Sequence, residues 1–200
     1  MVGLDIAQIA IGFTVLLFSL TVHEMAHAWT ADRLGDPTAR ILGRVTLNPI
    51  AHADPIGTVL FPLLAMVTGA PLIGWAKPVP VDLRRLRHHE RDYVLVAAAG
   101  PASNIGIAVV AALVAAVMPV SRDVVGEVVR LNVLLAVFNM LPIPPLDGGN
   151  VLSGLLPRRM AYTFDQIRPY GFLILYAVIL TDAFIYLVAL PSRFIISLLL

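Results

Sequence analysis

The chain has 200 residues, 58% of them hydrophobic and only 14% charged, with a formal net charge of +1 and a mean hydropathy of +0.86. Soluble domains carry roughly 25% charged residues, so water-soluble globular and disordered classes are excluded; nucleic-acid binding goes too, because no basic surplus exists to meet phosphates. The chain contains no cysteine, which removes disulfides, thiolate catalysis and sulfur-ligated metals and leaves nitrogen and oxygen to hold any ion.

A membrane helix needs about 20 mostly apolar residues. The stretch between Asp5 and Asp32 qualifies, and its only ionisable residues are His23, Glu24 and His27. No Lys or Arg occurs before Arg33, so the basic start of a signal peptide is missing. The first helix is read as a retained span with its N-terminus outside. A weaker apolar stretch over 56–73 is interrupted by Pro62, Gly69 and Pro71. It is expected to be re-entrant or broken, with its backbone covered by protein or trapped water. The segment Arg84-Arg85-Leu86-Arg87-His88-His89 reads as a cytoplasmic loop at the lipid headgroups, not as a metal site. From Tyr93 to Val120 no charged residue occurs, and a second long span is expected. Residues 131–146 are uncharged but shorter and end in a proline-rich stretch. Residues 169–192 carry one charge, Asp182, and make a last span or a broken pair of half-spans.

The basic residues orient these spans. Arg33, Arg40, Arg44, Lys77, Arg84, Arg85, Arg87 and Arg91 form one group, and Arg158, Arg159 and Arg168 another. Lys and Arg concentrate on the cytoplasmic side, which both groups can share only if 56–73 enters and leaves on one side. The expected fold class is an all-α, polytopic membrane bundle with a re-entrant or broken element between the first two long spans. The whole chain, 1–200, reads as one membrane domain, with a core over about 6–155 and a C-terminal span or broken hairpin over about 169–200.

The chemistry lies in the first span. His23-Glu24-Met25-Ala26-His27 is an H-E-x-x-H pattern. Residues four apart share a helix face, so both imidazoles can meet one ion while Glu24 reaches a water bound to it. In zinc peptidases this spacing supplies two ligands and a general base. A chance match, or a polar cluster joining two helices, is the bland alternative. Ionisable groups at mid-membrane are costly and are functional by default, and three within five residues call for a compensating cation.

A catalytic zinc takes three protein ligands and leaves one position open. Asp147 is the best third candidate. It follows Pro142, Pro144 and Pro145, which break a helix, and precedes Gly148 and Gly149, which allow close backbone approach. The alternatives are that Asp147 caps the following helix, or that Asp182 is the ligand. With 56–73 re-entrant, the histidines and Asp147 fall on the same, cytoplasmic side.

His23-Glu24-x-x-His27, then Ala98-Ala99-Gly100-Pro101-Ala102-Ser103-Asn104, then Asn139-x-x-Pro142 with Leu146-Asp147-Gly148 together resemble the site-2 protease family of intramembrane zinc metalloproteases. Asn48-Pro49-Ile50-Ala51-His52-Ala53-Asp54-Pro55 resembles its compact bacterial branch, without a PDZ domain. The resemblance implies one zinc per chain on His23, His27 and Asp147, with Glu24 as general base. It also implies a role near the substrate for Asn139, and for Asn104. Asn139 is weighed against an ordinary interhelical hydrogen bond, and Asn104 against a structural role among small residues. His52 is a further candidate beside the site, weighed against a histidine that orders its own loop.

The expected activity is hydrolysis of peptide bonds in or near transmembrane segments, at the cell membrane, with the active site toward the cytoplasm. The expected partners are transmembrane protein substrates and the lipid bilayer, with no nucleic acid. A metal-binding membrane protein or transporter without proteolytic activity is the competing reading.

Overall fold

A computed structural model describes residues 6–68, apart from the side chain of Met66, and 75–200. Helix α1 (Ile6–Arg33) is followed by two single turns, α2 (Thr38–Ile41) and α3 (Pro49–His52). A wide π-helical turn over Pro55–Leu60 leads into α4 (Phe61–Thr68). The long α5 (His89–Val117) and α6 (Arg122–Asn139) come next, then α7 (Asp147–Leu155) and α8 (Arg158–Asp165). The chain closes with α9 (Gly171–Ile179) and α10 (Leu190–Leu199). No strand occurs among the described residues.

Among the described residues two helices, α1 with 28 residues and α5 with 29, are long and apolar enough to cross a membrane. At about 1.5 Å per residue each exceeds 40 Å in length. Their outward faces are apolar: Phe18 on α1 and Val110, Leu113 and Val117 on α5 are exposed. Their polar residues point inward instead. Ser19, Thr21, His23, Glu24 and His27 on α1 and Asn104 on α5 are buried. This inversion suits a lipid surround, where apolar surface costs nothing and polar groups must find partners inside.

Helix α5 is the hub and packs on α1, α6 and α7. Ala108 of α5 meets Val125, Val129 and Val133 of α6, and Ile195, Ile196 and Leu199 of α10 cover them. Leu16 and Leu20 of α1 meet Leu131 of α6. Ala31 and Val96 close the other end of α1 against α5, with Leu86.

The apolar stretch over 56–73 is helical as far as it is described: the π turn runs directly into α4, which continues through Pro62 to Thr68. Gly69 and Pro71 lie outside the described residues. Asn48 and Asp54 serve as local caps here, accepting from Ile50 N at 3.1 Å and from Gly57 N at 2.7 Å. The C-terminal stretch is a broken pair: α9 stops before Thr181, and the chain resumes through a π turn over Ile185–Ala189 into α10. The uncharged segment over 131–146 is helical only as far as Asn139, before its prolines, and its helix starts earlier, at Arg122. Its polar first turns carry a Glu127–Arg130 pair at 3.3 Å.

Between α6 and α7 the chain turns back over residues 140–146. A Cβ on Gly148 would lie 2.2 Å from Met140 O, and one on Gly149 2.7 Å from Pro144 N. These contacts are with backbone, which cannot swing aside. The two glycines therefore let the turn lie against the first residues of α7 and fix where Asp147 stands. Gly148→Ala is expected to destabilise the folded protein by about 1–3 kcal/mol through overpacking, read as a lowered melting temperature in detergent. An unchanged melting temperature would contradict the tight turn.

Candidate metal centre and active site

The i, i+4 spacing of α1 places His23 and His27 on one face, and their Nε2 atoms lie 3.1 Å apart. Asp147, the first residue of α7, brings Oδ2 to 3.1 Å from His23 Nε2 and 3.4 Å from His27 Nε2. The N-terminal flanking residue of α7 is Leu146, so Asp147 lies inside the first turn and does not cap it. Among the described residues this is the one group of three or more His, Asp or Glu side chains close enough to share an ion. Asp182 is exposed in the break after α9 and is not part of it.

The backs of both rings are fixed. His27 Nδ1 lies 2.7 Å from Val96 O. A carbonyl only accepts, so Nδ1 is the donor and carries a proton. His23 Nδ1 lies 2.6 Å from Asn104 Oδ1. The orientation of that amide follows from a chain of bonds: Asn104 Nδ2 donates to Asn132 Oδ1 at 2.9 Å, and Asn132 Nδ2 donates to Val128 O at 2.9 Å. The chain ends on a carbonyl, so His23 Nδ1 is also the protonated nitrogen. In the neutral rings both Nε2 atoms therefore present lone pairs to each other and to a carboxylate.

That arrangement fits a dication. Three ligands on a tetrahedral zinc, each at about 2.0–2.1 Å, stand about 3.3–3.4 Å apart, close to the observed triangle. Asp147 Oδ2 is buried and accepts no hydrogen bond, as a ligand atom would. The donors N, N and O also suit zinc chemistry. Space beside them is kept by Gly100 of α5, where a Cβ would fall 2.3 Å from His27 Nε2 and 2.5 Å from His23 Nε2.

A cavity of about 670 Å³ opens onto this triangle. Glu24 lines it and is otherwise buried. Asn139, the last residue of α6, lines it as well, with Nδ2 donating to Leu135 O at 3.0 Å. An extended strap over 75–82 forms one wall through Trp75, Ala76, Pro78, Val79 and Val81. The strap is tied down by Trp75 N to Gly57 O at 3.1 Å, Lys77 N to His52 O at 2.8 Å and Asp82 N to Asp36 Oδ2 at 2.7 Å. The buried guanidinium of Arg44 also donates to Lys77 O.

Two of the residues expected near a substrate stand elsewhere. Asn104 is fully buried behind His23, on the side away from Asp147, because its amide is spent on His23, Asn132 and Ser19 O. His52 is buried in its own loop, its Nε2 paired with Thr46 O at 2.9 Å, and it does not line the cavity. Sequence reasoning overlooked Asn132. An amide set in the uncharged half of α6 was the available signal, since such a group must be satisfied inside.

Peptidase family M50 matches the chain over residues 11–129 and 120–181. YwhC of Bacillus subtilis, which carries a provisional zinc-metalloprotease name, is 36% identical over 178 residues, covering 83% of this chain and 78% of its own. Rip2 of Mycolicibacterium smegmatis, named in the same provisional way, is 33% identical over 175 residues, covering 84% of this chain and 65% of its own. Zinc metalloprotease MJ0392 of Methanocaldococcus jannaschii is 26% identical over 156 residues, and the match spans only 36% of its length. No solved structure matches the chain. Having the family's match across most of its length and the H-E-x-x-H face turned toward a distant aspartate, the chain belongs to peptidase family M50.

Proposed function

We propose that this protein is an intramembrane zinc endopeptidase that hydrolyses peptide bonds in or near transmembrane segments of other membrane proteins. The observation that carries the proposal is the triangle of His23 Nε2, His27 Nε2 and Asp147 Oδ2, with Glu24 in the wall of the same cavity. His23, His27 and Asp147 would hold one zinc, which supplies Lewis-acid polarisation and acidifies water when bound.

The remaining work belongs to the chain's own side chains. Glu24 takes a proton from the attacking water as the new C–O bond forms. It returns that proton to the amide nitrogen as the C–N bond breaks. Glu24 is therefore an acid and base in turn and ends each cycle ionised. Asn139 keeps one N–H beyond its bond to Leu135 O, and that N–H donates to the substrate backbone. Asn104 and Asn132 hold His23 in the tautomer that offers Nε2. The cavity walls are mostly apolar, which excludes bulk water and strengthens each polar contact made inside. A substrate helix hides its peptide bonds in its own hydrogen bonds, so it unwinds before it is cut. Substrates with helix-breaking residues near the cleaved bond are expected.

The protein is a multi-pass membrane protein in this reading, with its active site toward the cytoplasm. The charge pattern supports that orientation: Arg40 pairs with Asp32 near the C-terminus of α1, Arg158 with Glu90 in the first turn of α5, and Arg168 with Asn150 of α7, one turn from Asp147.

Metal analysis and a cleavage assay on the same preparations test the chemistry. Glu24→Gln should retain one zinc per chain and lose cleavage by about 100-fold or more. Gly100→Ala should lose zinc by intruding on both Nε2 atoms, and Asn104→Ala should weaken zinc about 10–100-fold. Full cleavage by Glu24→Gln, or full zinc in Gly100→Ala, would contradict the proposal. The natural absence of cysteine makes the orientation testable with single labels: Arg40→Cys and Arg85→Cys should both react with an impermeant thiol reagent from the cytoplasmic side. Labelling from opposite sides would overturn the re-entrant topology.

A further inference from the structure

Helix α7 carries a second polar residue into the cavity. Asn150 stands three residues after Asp147, on the same helix face, and lines the cavity. Its Oδ1 accepts from Arg168 Nη2 at 3.0 Å. Arg168 is held in turn: its Nε donates to Asp165 Oδ1 at 3.0 Å. Ser153, one turn further along α7, donates its hydroxyl to the same carboxylate at 3.2 and 3.3 Å.

The chemistry of this relay fixes the amide. A guanidinium only donates, so the oxygen of Asn150 must face Arg168. The amide is planar, and its N–H groups therefore point away from Arg168. No acceptor for them occurs among the described residues. A half-buried amide in a cavity wall, with its acceptor held from behind and its donors unused, is set up to meet a carbonyl that arrives from outside.

We propose that Asn150 is a substrate-binding residue that donates a hydrogen bond to a backbone carbonyl of the unwound peptide, and that Arg168 is the positioning residue that turns its N–H groups into the cavity. The inference rests on the protease reading for its substrate class. Residues three apart on a helix face are about 5–6 Å apart, and an extended peptide advances about 3.3 Å per residue. The carbonyl reached from Asn150 is thus about two residues from the cleaved bond. A backbone contact is indifferent to side-chain identity and requires an unwound segment, because a helical carbonyl is already bonded.

The bland alternative is that Asn150 merely ties α7 to the turn at Arg168. Asn150→Asp separates the two roles: a carboxylate keeps and strengthens the tie to Arg168 but cannot donate. The probe is a fluorescently labelled peptide with a 20-residue apolar segment broken centrally by Gly-Pro, in detergent micelles. Its affinity is measured by anisotropy on zinc-loaded Glu24→Gln protein, with zinc content and melting temperature read on each variant. Asn150→Ala and Asn150→Asp should each weaken binding about tenfold, the loss of one hydrogen bond to substrate. Zinc should stay at one per chain, and Asn150→Asp should melt no lower than its parent. Arg168→Ala should give a smaller loss of the same kind. Parental affinity in either Asn150 variant, or no saturable binding by the Glu24→Gln parent, overturns the proposal. If Asn150→Asp lost zinc, Asn150→Ala alone would decide. Failure of the wild-type protein to cut the peptide while these differences persist would count against the protease reading and leave the role of Asn150 standing.

Discussion

Two imidazole nitrogens and a carboxylate oxygen face one another across 3.1–3.4 Å in the interior of an apolar bundle. Each ring has its proton on the far side, bonded to Val96 O or to Asn104. Nothing in this triangle satisfies its own lone pairs, and the desolvation of such groups is tolerated only with a compensating charge. A divalent cation at the centre resolves all three at once. The positions of α1, α5 and α7 can be understood as the scaffold for that one interaction.

Helix α5 does most of the positioning. Val96 O and Asn104 hold the two rings from behind, and Gly100 between them clears room at the front. These three residues span two turns of one helix, so a shift of α5 would disturb all of them together. The turn over 140–146 does the same for the carboxylate: it lies so close to Gly148 and Gly149 that Asp147 has little freedom to retreat. Glu24 shares its helix with the histidines and follows them wherever α1 goes. The geometry is thereby distributed over rigid elements rather than loops, which suits chemistry that depends on sub-ångström placement.

Much of this was readable from residues. The histidine pair follows from helical periodicity, and Asp147 from the prolines before it and the glycines after it, because periodicity and chain breaking are local properties. The two long helices follow from the absence of charge. Partners set by tertiary packing were not readable in the same way. The role of Gly100 depends on α1 lying against α5, and nothing in its neighbours announces that. Asn104 and His52 each carry two readings in sequence, one beside the substrate and one structural, and their surroundings match the second: Asn104 stands behind His23, and the ring of His52 serves Thr46 O within its own loop. The strap over 75–82 has no periodicity to betray it, since extended backbone held by scattered donors leaves little trace in composition.

The most direct measurement of the central claim is zinc K-edge X-ray absorption on purified Glu24→Gln protein in detergent. The account predicts one zinc in a four-coordinate shell of nitrogen and oxygen at about 2.0–2.1 Å, with outer-shell scattering from two imidazoles that falls when His23 or His27 is replaced. A shell of oxygen alone, or one unchanged by replacing Asp147 and either histidine, would contradict it.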